Sequence, residues 1–292
     1  MESEQKAVFV TGACKNTGLT IAETFARQGY DVFLTSRSRE EAERTAHALS
    51  QKYGKKVRGF ALSAGDAEAV RSVFAQIAKS GIPLRTAVFN AADLGIGQDT
   101  LEGSLEEFRQ VFEVNVFWNL TMAREAAKLM KENGGGALVF INSNTAYRAI
   151  PDRAAYCSSK SAVLGLSRAL AVDWGKYNIR SNCVLPGMIK TDRWYSNAGG
   201  QRDSLTAHTP IGDVADFEDI ANAAFYLGTP LSKNVTGAEI VGGGGNAIQL
   251  PPGFCPSFQR APPSKAAAFP VKQGRRKKLR RPCLSNTVMC YR

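Results

Sequence analysis

A tyrosine and a lysine four residues apart, Tyr156 and Lys160, lie in the stretch INSNTAYRAIPDRAAYCSSK that runs from 141 to 160. On a helix that interval puts both side chains on one face, so a phenol and an ammonium become neighbours. A phenol near pKa 10 is a poor proton donor at neutral pH, and lowering it by about three units takes roughly 4 kcal/mol of preferential phenolate stabilisation. An ammonium about 4 Å away supplies approximately that at an effective dielectric near 20. The pair therefore predicts proton transfer near neutrality. Ser143 closes an apolar run and adds a hydroxyl that can hold a carbonyl oxygen while Tyr156 delivers the proton. Asn115, within EVNVFW, is a polar residue among apolar ones. It is either a satisfied core amide or a relay member that holds a water.

A second chemistry-bearing stretch is TGACKNTG, residues 11–18, between the apolar run AVFV and a helical pattern. Gly12 suits a tight turn and Gly18 a close backbone approach, but the dinucleotide fingerprint G-x-G-x-x-G has one more glycine. Asn16 stands in its place. Asparagine is the residue after glycine that most readily takes a positive φ. The free N–H groups and positive dipole end of the following helix then fit the loop, with Lys15 and Thr17, to a pyrophosphate. After the second apolar run comes LTSRSREE, with Thr35, Ser36 and Arg37 where a carboxylate would bond a ribose 2′-hydroxyl. Arg37 suits a 2′-phosphate instead, and Lys15 adds a second cation. Both favour NADP(H) over NAD(H).

The elements that must position these residues alternate. Short apolar runs at 7–11, 31–35, 57–62, 86–90, 137–142, 179–185 and 238–241 read as strands. Helical spacing recurs near 18–28, 39–52, 66–79, 104–132, 153–176 and 216–227. The pattern predicts an α/β fold of the Rossmann type, a doubly wound seven-stranded parallel sheet with helices on both faces. Ligands bind such sheets at the carboxyl ends of the strands, where loops start at Thr11, Thr35, Ser63, Asn90, Ser143 and Pro186.

The net charge of +11 over 292 residues is unevenly placed. Residues 251–292 hold ten Lys and Arg and no acid, which leaves +1 for residues 1–250. We therefore expect one domain over 1–250 and a basic, Pro-rich, disordered tail over 251–292. GRRKKLRR at 274–281 raises a nucleic-acid reading, but a run this short in such a tail is expected to be solvated. The six cysteines are scattered, with no zinc or disulfide spacing, and His47 and His208 have no ligand pattern. No apolar run approaches the roughly 20 residues of a membrane span. The expectation is a soluble, cytoplasmic protein without metal, membrane or nucleic-acid partners.

Taken together the pieces resemble the short-chain dehydrogenase/reductase family, in its classical subgroup, across about residues 5–248. TGACKNTG is similar to the family's T-G-x-x-x-G-x-G loop, and FNAA at 89–92, with Asn90, to the N-A-G segment that supports the central strand. Asn115, Ser143, Tyr156 and Lys160 match its tetrad, with the usual interval of 13 from Ser143 to Tyr156. PGMIKT at 186–191 is similar to its nicotinamide segment, and TGAEIVGGGG closes the match. Asn16, Ser63 and Gly242 depart from the pattern and bear on cofactor affinity or on the core near the C-terminus, not on the tetrad. The resemblance implies hydride transfer between NADPH and a carbonyl or secondary alcohol. Tyr156 would move the proton, Lys160 would lower its pKa and bond the nicotinamide ribose, and Ser143 would hold the oxygen. Asn115 would hold a water, while Ile189 and Thr191 would meet the carboxamide. It also implies a homodimer or homotetramer built on helices 104–132 and 153–176. A 3-oxoacyl thioester or keto sugar is the expected substrate, walled by 92–96, 144–150 and 189–210, with Arg148, Arg153 and Arg193 able to meet an acidic group. The rival reading is an NADP(H)-binding module without catalysis, which the intact tetrad argues against.

Overall fold

The computed structural model of the chain describes residues 5–97, 99–196, 206 and 208–249. Seven strands form one parallel sheet: β1 (Ala7–Val10), β2 (Asp31–Ser36), β3 (Val57–Ala61), β4 (Leu84–Phe89), β5 (Gly136–Ile141), β6 (Ile179–Pro186) and β7 (Glu239–Gly242). Their spatial order is β3-β2-β1-β4-β5-β6-β7. AVFV, LRTAVF and GALVFI are near-continuous apolar runs because a parallel strand is covered on both faces. Within β1 the alternation of side chains decides which cover each one meets. Ala7 and Phe9 join the core under α3 (Ala67–Lys79), α5 (Trp118–Glu132) and α6 (Ala154–Trp174). Val8 and Val10 join the core under α1 (Asn16–Arg27), α2 (Arg39–Tyr53) and the Phe217–Gly228 helix, which is α8.

Helix starts are written in the sequence. Ser38 caps α2 by accepting from Glu41 N–H at 3.2 Å, and Asp66 caps α3 by accepting from Ala69 N–H at 2.8 Å. Asp216 and Asp219 form a reciprocal capping box on α8. Helix α1 differs. Its N-cap is Lys15, which makes no side-chain cap, and its first turn holds no acid.

Strand boundaries fall within two residues of those expected, but the single helical pattern at 104–132 does not persist. It divides into α4 (Leu105–Phe112), a π-helical turn at Glu113–Phe117, and α5. One wide turn lets the fully buried Asn115 meet polar partners instead of the apolar core around it, a frequent use of π-bulges near functional sites. A short helix, α7 (Asp192–Ser196), stands in the segment expected to be a wall loop. The Gly pair at 199–200 and the tail at 251–292 lie outside the described residues. Among the described residues no helix is long and apolar enough to cross a membrane.

The chain winds outward from β1 to β3, then returns to lay β4 on the other side of β1. That reversal opens a crevice at the carboxyl ends of β1 and β4, where Thr11, Gly12 and Asn90 stand.

Candidate active site

At the crevice the backbone is stitched by one side chain. Asn90 Nδ2 donates to the carbonyls of Thr11 and Gly12, both at 3.2 Å, while Thr11 Oγ1 accepts from the N–H groups of Asn90 and Ala91. Gly12 takes φ +61 and Asn16 takes φ +49, so asparagine does occupy the left-handed conformation where the fingerprint has glycine. Gly18 serves packing: a Cβ there would lie 2.2 Å from the Gly12 oxygen and 2.6 Å from Asn90 Nδ2. The first turn of α1 thus sits against the loop with free N–H groups, no capping side chain and no acid. Those features fit a pyrophosphate.

At the end of β2 the picture is more mixed. Arg37 and Lys15 are exposed, and neither side chain has a hydrogen bond or ion-pair partner among the described residues. Ser36 is committed: its hydroxyl donates to Glu41 Oε2 at 2.6 Å and accepts from Ser38 N–H at 3.3 Å. The strand end carries no carboxylate of its own, yet Glu41 brings one from the first turn of α2. Sequence reading missed it, although S-x-x-E at 38–41 is a capping-box pattern; here the Glu41 side chain bonds Ser36 rather than the cap N–H.

Ser143 follows β5 and opens a short 3-10 turn, Asn144–Ala146. Its Oγ accepts from the N–H of Thr145 at 3.2 Å and from Thr145 Oγ1 at 2.9 Å, and the hydroxyl lies close enough to the Tyr156 phenol to lower its pKa. Thr145 was not singled out in the sequence; a second hydroxyl two residues on was the available signal. Lys160 is 4% exposed, donates to the Ile141 carbonyl at 3.0 Å, and stands 5.6 Å from the centre of the Tyr156 ring. The structure thus brings Ser143, Tyr156 and Lys160 together.

The electrostatics correct one expectation. Burial pushes the Tyr156 phenol above its ordinary value, and the groups pulling it down are the Ser143 hydroxyl and the Arg153 guanidinium, not Lys160. Burial also pulls the Lys160 amine down to about 8. An amine turned to a main-chain carbonyl and easily neutralised is a weak cation for its neighbour. The Asn115 side-chain amide has protein partners at both ends. Its Oδ1 accepts from Asp93 N–H at 2.8 Å, and Nδ2 donates to the Asp93 carbonyl at 2.9 Å and to Ser159 Oγ at 3.0 Å. With both amide hydrogens engaged, its side chain ties the loop after β4 to α6.

The remaining predicted positions lie on the rim. Ile189 bridges to Ala215, and Thr191 leads into α7, with its N–H bonded to the Ile189 carbonyl at 2.8 Å. The wall arginines are held by carbonyls: Arg153 by Leu94 at 2.7 Å, Arg148 by Asn246 and Gln249 at 2.5 and 3.1 Å. The side chain of Arg193 lies outside the described residues. Leu94, Ile96, Tyr147, Ile150 and Met188 are exposed along these segments.

The buried amine gives stability a pH dependence of definite sign. Its folded value of about 8 is below its ordinary 10.5, so between the two the unfolded chain binds a proton that the folded chain lacks. Stability from this group therefore rises with pH across that window, and the whole penalty, on the order of 3 kcal/mol, acts below it. Urea unfolding should show the rise, and Lys160→Met should flatten it. Equal slopes for both chains would mean that the amine is not buried as described.

Comparison with known proteins places this geometry. A family model described as Enoyl-(Acyl carrier protein) reductase matches residues 12–246. D-threitol dehydrogenase from Mycolicibacterium smegmatis is 31% identical over 245 residues, covering 84% of this chain and 94% of the relative. The 3-oxoacyl-(acyl-carrier-protein) reductase of Chlamydia muridarum is 32% identical over 244 residues, covering 83% and 97%. A solved 7 alpha-hydroxysteroid dehydrogenase, in complex with NADH and 7-oxo glycochenodeoxycholic acid, superposes with a TM-score of 0.77 at 30% identity, covering 82% of this chain and 93% of that one. A family model that spans residues 12–246, with relatives above 30% identity over most of both chains, shows that the chain belongs to the classical short-chain dehydrogenase/reductase family.

Proposed function

We propose that this oxidoreductase is an NADP(H)-dependent carbonyl reductase, running in reverse as a secondary-alcohol dehydrogenase, with a 3-oxoacyl thioester or keto sugar as substrate. The observation that carries the reading is the cluster of Ser143, Tyr156 and the buried Lys160 at the carboxyl edge of the sheet that also carries the uncapped start of α1. When bound, the cofactor supplies hydride to the carbonyl carbon or takes it from the alcohol. Tyr156 gives its proton to the substrate oxygen as charge develops there, and Ser143 bonds the same oxygen. Thr145 occupies the acceptor sites on Ser143, so the single Ser143 hydrogen, directed at the Tyr156 oxygen in the free chain, is the one that would turn to the substrate oxygen. Lys160 and Tyr156 would face the nicotinamide ribose, and Ile189 and Thr191 the carboxamide. Gly12, Lys15, Asn16, Thr17 and Gly18 would hold the pyrophosphate, Ser36 and Arg37 the 2′-phosphate, and Asn90 the crevice. Asn115 acts by fixing α6 and the β4 loop. One catalytic domain spans 1–250 and the basic tail is an extension of it. The free thiols of Cys14, Cys157 and Cys183 suit a reducing, cytoplasmic setting.

The surface of α4 and the π turn supports self-association. An open groove of about 520 Å³ there is lined by Phe108, Phe112 and Phe117 with Glu106, Arg109 and Glu113. Apolar residues rimmed by both charge signs suit a second copy about a two-fold axis.

Three measurements test these readings. Tyr156→Phe keeps the shape and removes the proton, so turnover should fall about 10²- to 10⁴-fold with NADPH binding nearly unchanged. Loss of reduced-cofactor absorbance over 3-oxoacyl thioesters, keto sugars and cyclic ketones reads it, and near-normal turnover refutes the assignment. In fluorescence titrations Arg37→Ala should weaken NADPH roughly tenfold or more and spare NADH. Glu41→Gln, which removes a negative charge beside Ser36, should tighten NADPH; equal losses for both cofactors would overturn the preference. Light scattering should find a dimer or tetramer that Phe117→Glu dissociates, and a monomeric unaltered chain would end that proposal.

A further inference from the structure

Three consecutive residues at the end of β5 each reach α6. The Ile141 carbonyl accepts from Lys160 Nζ at 3.0 Å. Asn142 Nδ2 donates to the Lys160 carbonyl at 3.0 Å, while its Oδ1 accepts from the Ser143 N–H at 2.9 Å. The Ser143 hydroxyl in turn lies close enough to the Tyr156 phenol to lower its pKa. Asn142 is itself buried, and its N–H is tied to the Val184 carbonyl of β6 at 2.7 Å. An uncharged amide at the end of a dry apolar strand is unfavourable unless both its ends find partners. Here the two ends find the main chains of two different site residues, one on the strand and one on the helix.

We propose that Asn142 is a positioning residue for proton transfer: its amide locks the Ser143 main chain to the Lys160 turn of α6 and so sets how closely the Ser143 hydroxyl approaches the Tyr156 phenol on that helix. A leucine has the same branching and number of heavy atoms, though it is bulkier, and would keep the strand apolar, but it would leave the Ser143 N–H without its acceptor. At its Ser143 end the turn would then keep the Thr145 contacts, while its far end stays tied to α6 through Ser161 Oγ and the Ala146 carbonyl at 2.7 Å. The strand end and the helix would keep the Lys160–Ile141 bond but lose the one that fixes the Ser143 main chain, and the Ser143 hydroxyl would drift from the phenol. The role rests on the reductase reading above.

The test compares the unaltered chain with Asn142→Leu and Asn142→Thr. Turnover should fall about 10- to 100-fold, as expected when a reacting group is misplaced by about 1 Å, with KM and the NADPH Kd little changed. The Tyr156 phenol should titrate higher, because the Ser143 bond that lowers it is weakened. This is read as the phenolate absorbance lost between each chain and its Tyr156→Phe counterpart. In a Ser143→Ala background the Asn142 substitutions should no longer move that titration, since the link runs through Ser143. Unchanged turnover in folded variants, or a phenol shift that persists without Ser143, overturns the proposal. Should the leucine variant fail to fold, the smaller Thr variant and its titration decide alone. A chain that binds NADPH yet turns over no carbonyl overturns the reductase reading and this role with it, whereas an active chain indifferent to Asn142 overturns the role alone.

Discussion

Holding one amine inside dry protein is the constraint on which the site depends. Lys160 is almost fully buried, and the hydrogen bond that holds its head group ends on the carbonyl of the last residue of β5. That carbonyl stays in place because β5 is an interior strand, paired to β4 on one side and β6 on the other. The helix is equally fixed. Val163, Leu164 and Leu170 sink α6 into the core beneath the sheet, so neither partner can move to relieve the buried charge. An exposed lysine could satisfy the same spacing on a helix, but it would leave the phenol in water and near its ordinary pKa.

The rest of the edge is assembled by close backbone approach. On one side, Gly18 brings α1 against the Gly12 carbonyl. On the other, a Cβ at Gly187 would lie 2.8 Å from the Gly243 Cα, so the segment after β6 is pressed on the Gly run after β7. Between the two contacts run the loops after β1, β4 and β5, each begun at the carboxyl end of its strand. The site is therefore framed by positions where a side chain has no room, and its polar groups face inward between them. Tyr147 and Arg168 both bond Glu239 of β7, which anchors the wall after β5 to the edge strand.

How much of this was legible in the sequence follows from which forces act locally. Parallel strands are buried on both faces, so AVFV or GALVFI announces itself as a run, and the helices between such runs follow from spacing alone. The four-residue interval of Tyr156 and Lys160 gave their common face for the same reason. It could not give the dielectric around them, and so the expected lowering of the phenol by the amine came out reversed. Asn16 was legible because its conformational preference is its own, and the left-handed φ appeared where a glycine was missing. Ser36 was not, since its partner depends on which rotamer Glu41 takes in the next helix. The π turn in 104–132 was hidden for a related reason: one extra residue in a turn hardly disturbs a hydrophobic period, whereas it decides where Asn115 points.

The reversal at the phenol bears on direction. Burial acts oppositely on the two groups, because it disfavours whichever form is charged: the phenolate for Tyr156 and the ammonium for Lys160. The same dry environment therefore keeps the phenol protonated and brings the amine to a value of about 8, near neutrality. A protonated phenol is the form that carbonyl reduction consumes, while alcohol oxidation needs the phenolate as base. Ser143 and Arg153 pull toward the phenolate, so the balance at Tyr156 is set by how dry the cleft is against how well those two groups are placed. A substrate that closes the cleft and expels water strengthens both influences at once, as lower dielectric raises the cost of charge and the worth of each hydrogen bond to it. Geometry at the end of β5, where the Ser143 hydroxyl approaches the phenol, enters that balance, and it belongs to the strand and helix rather than to either side chain alone.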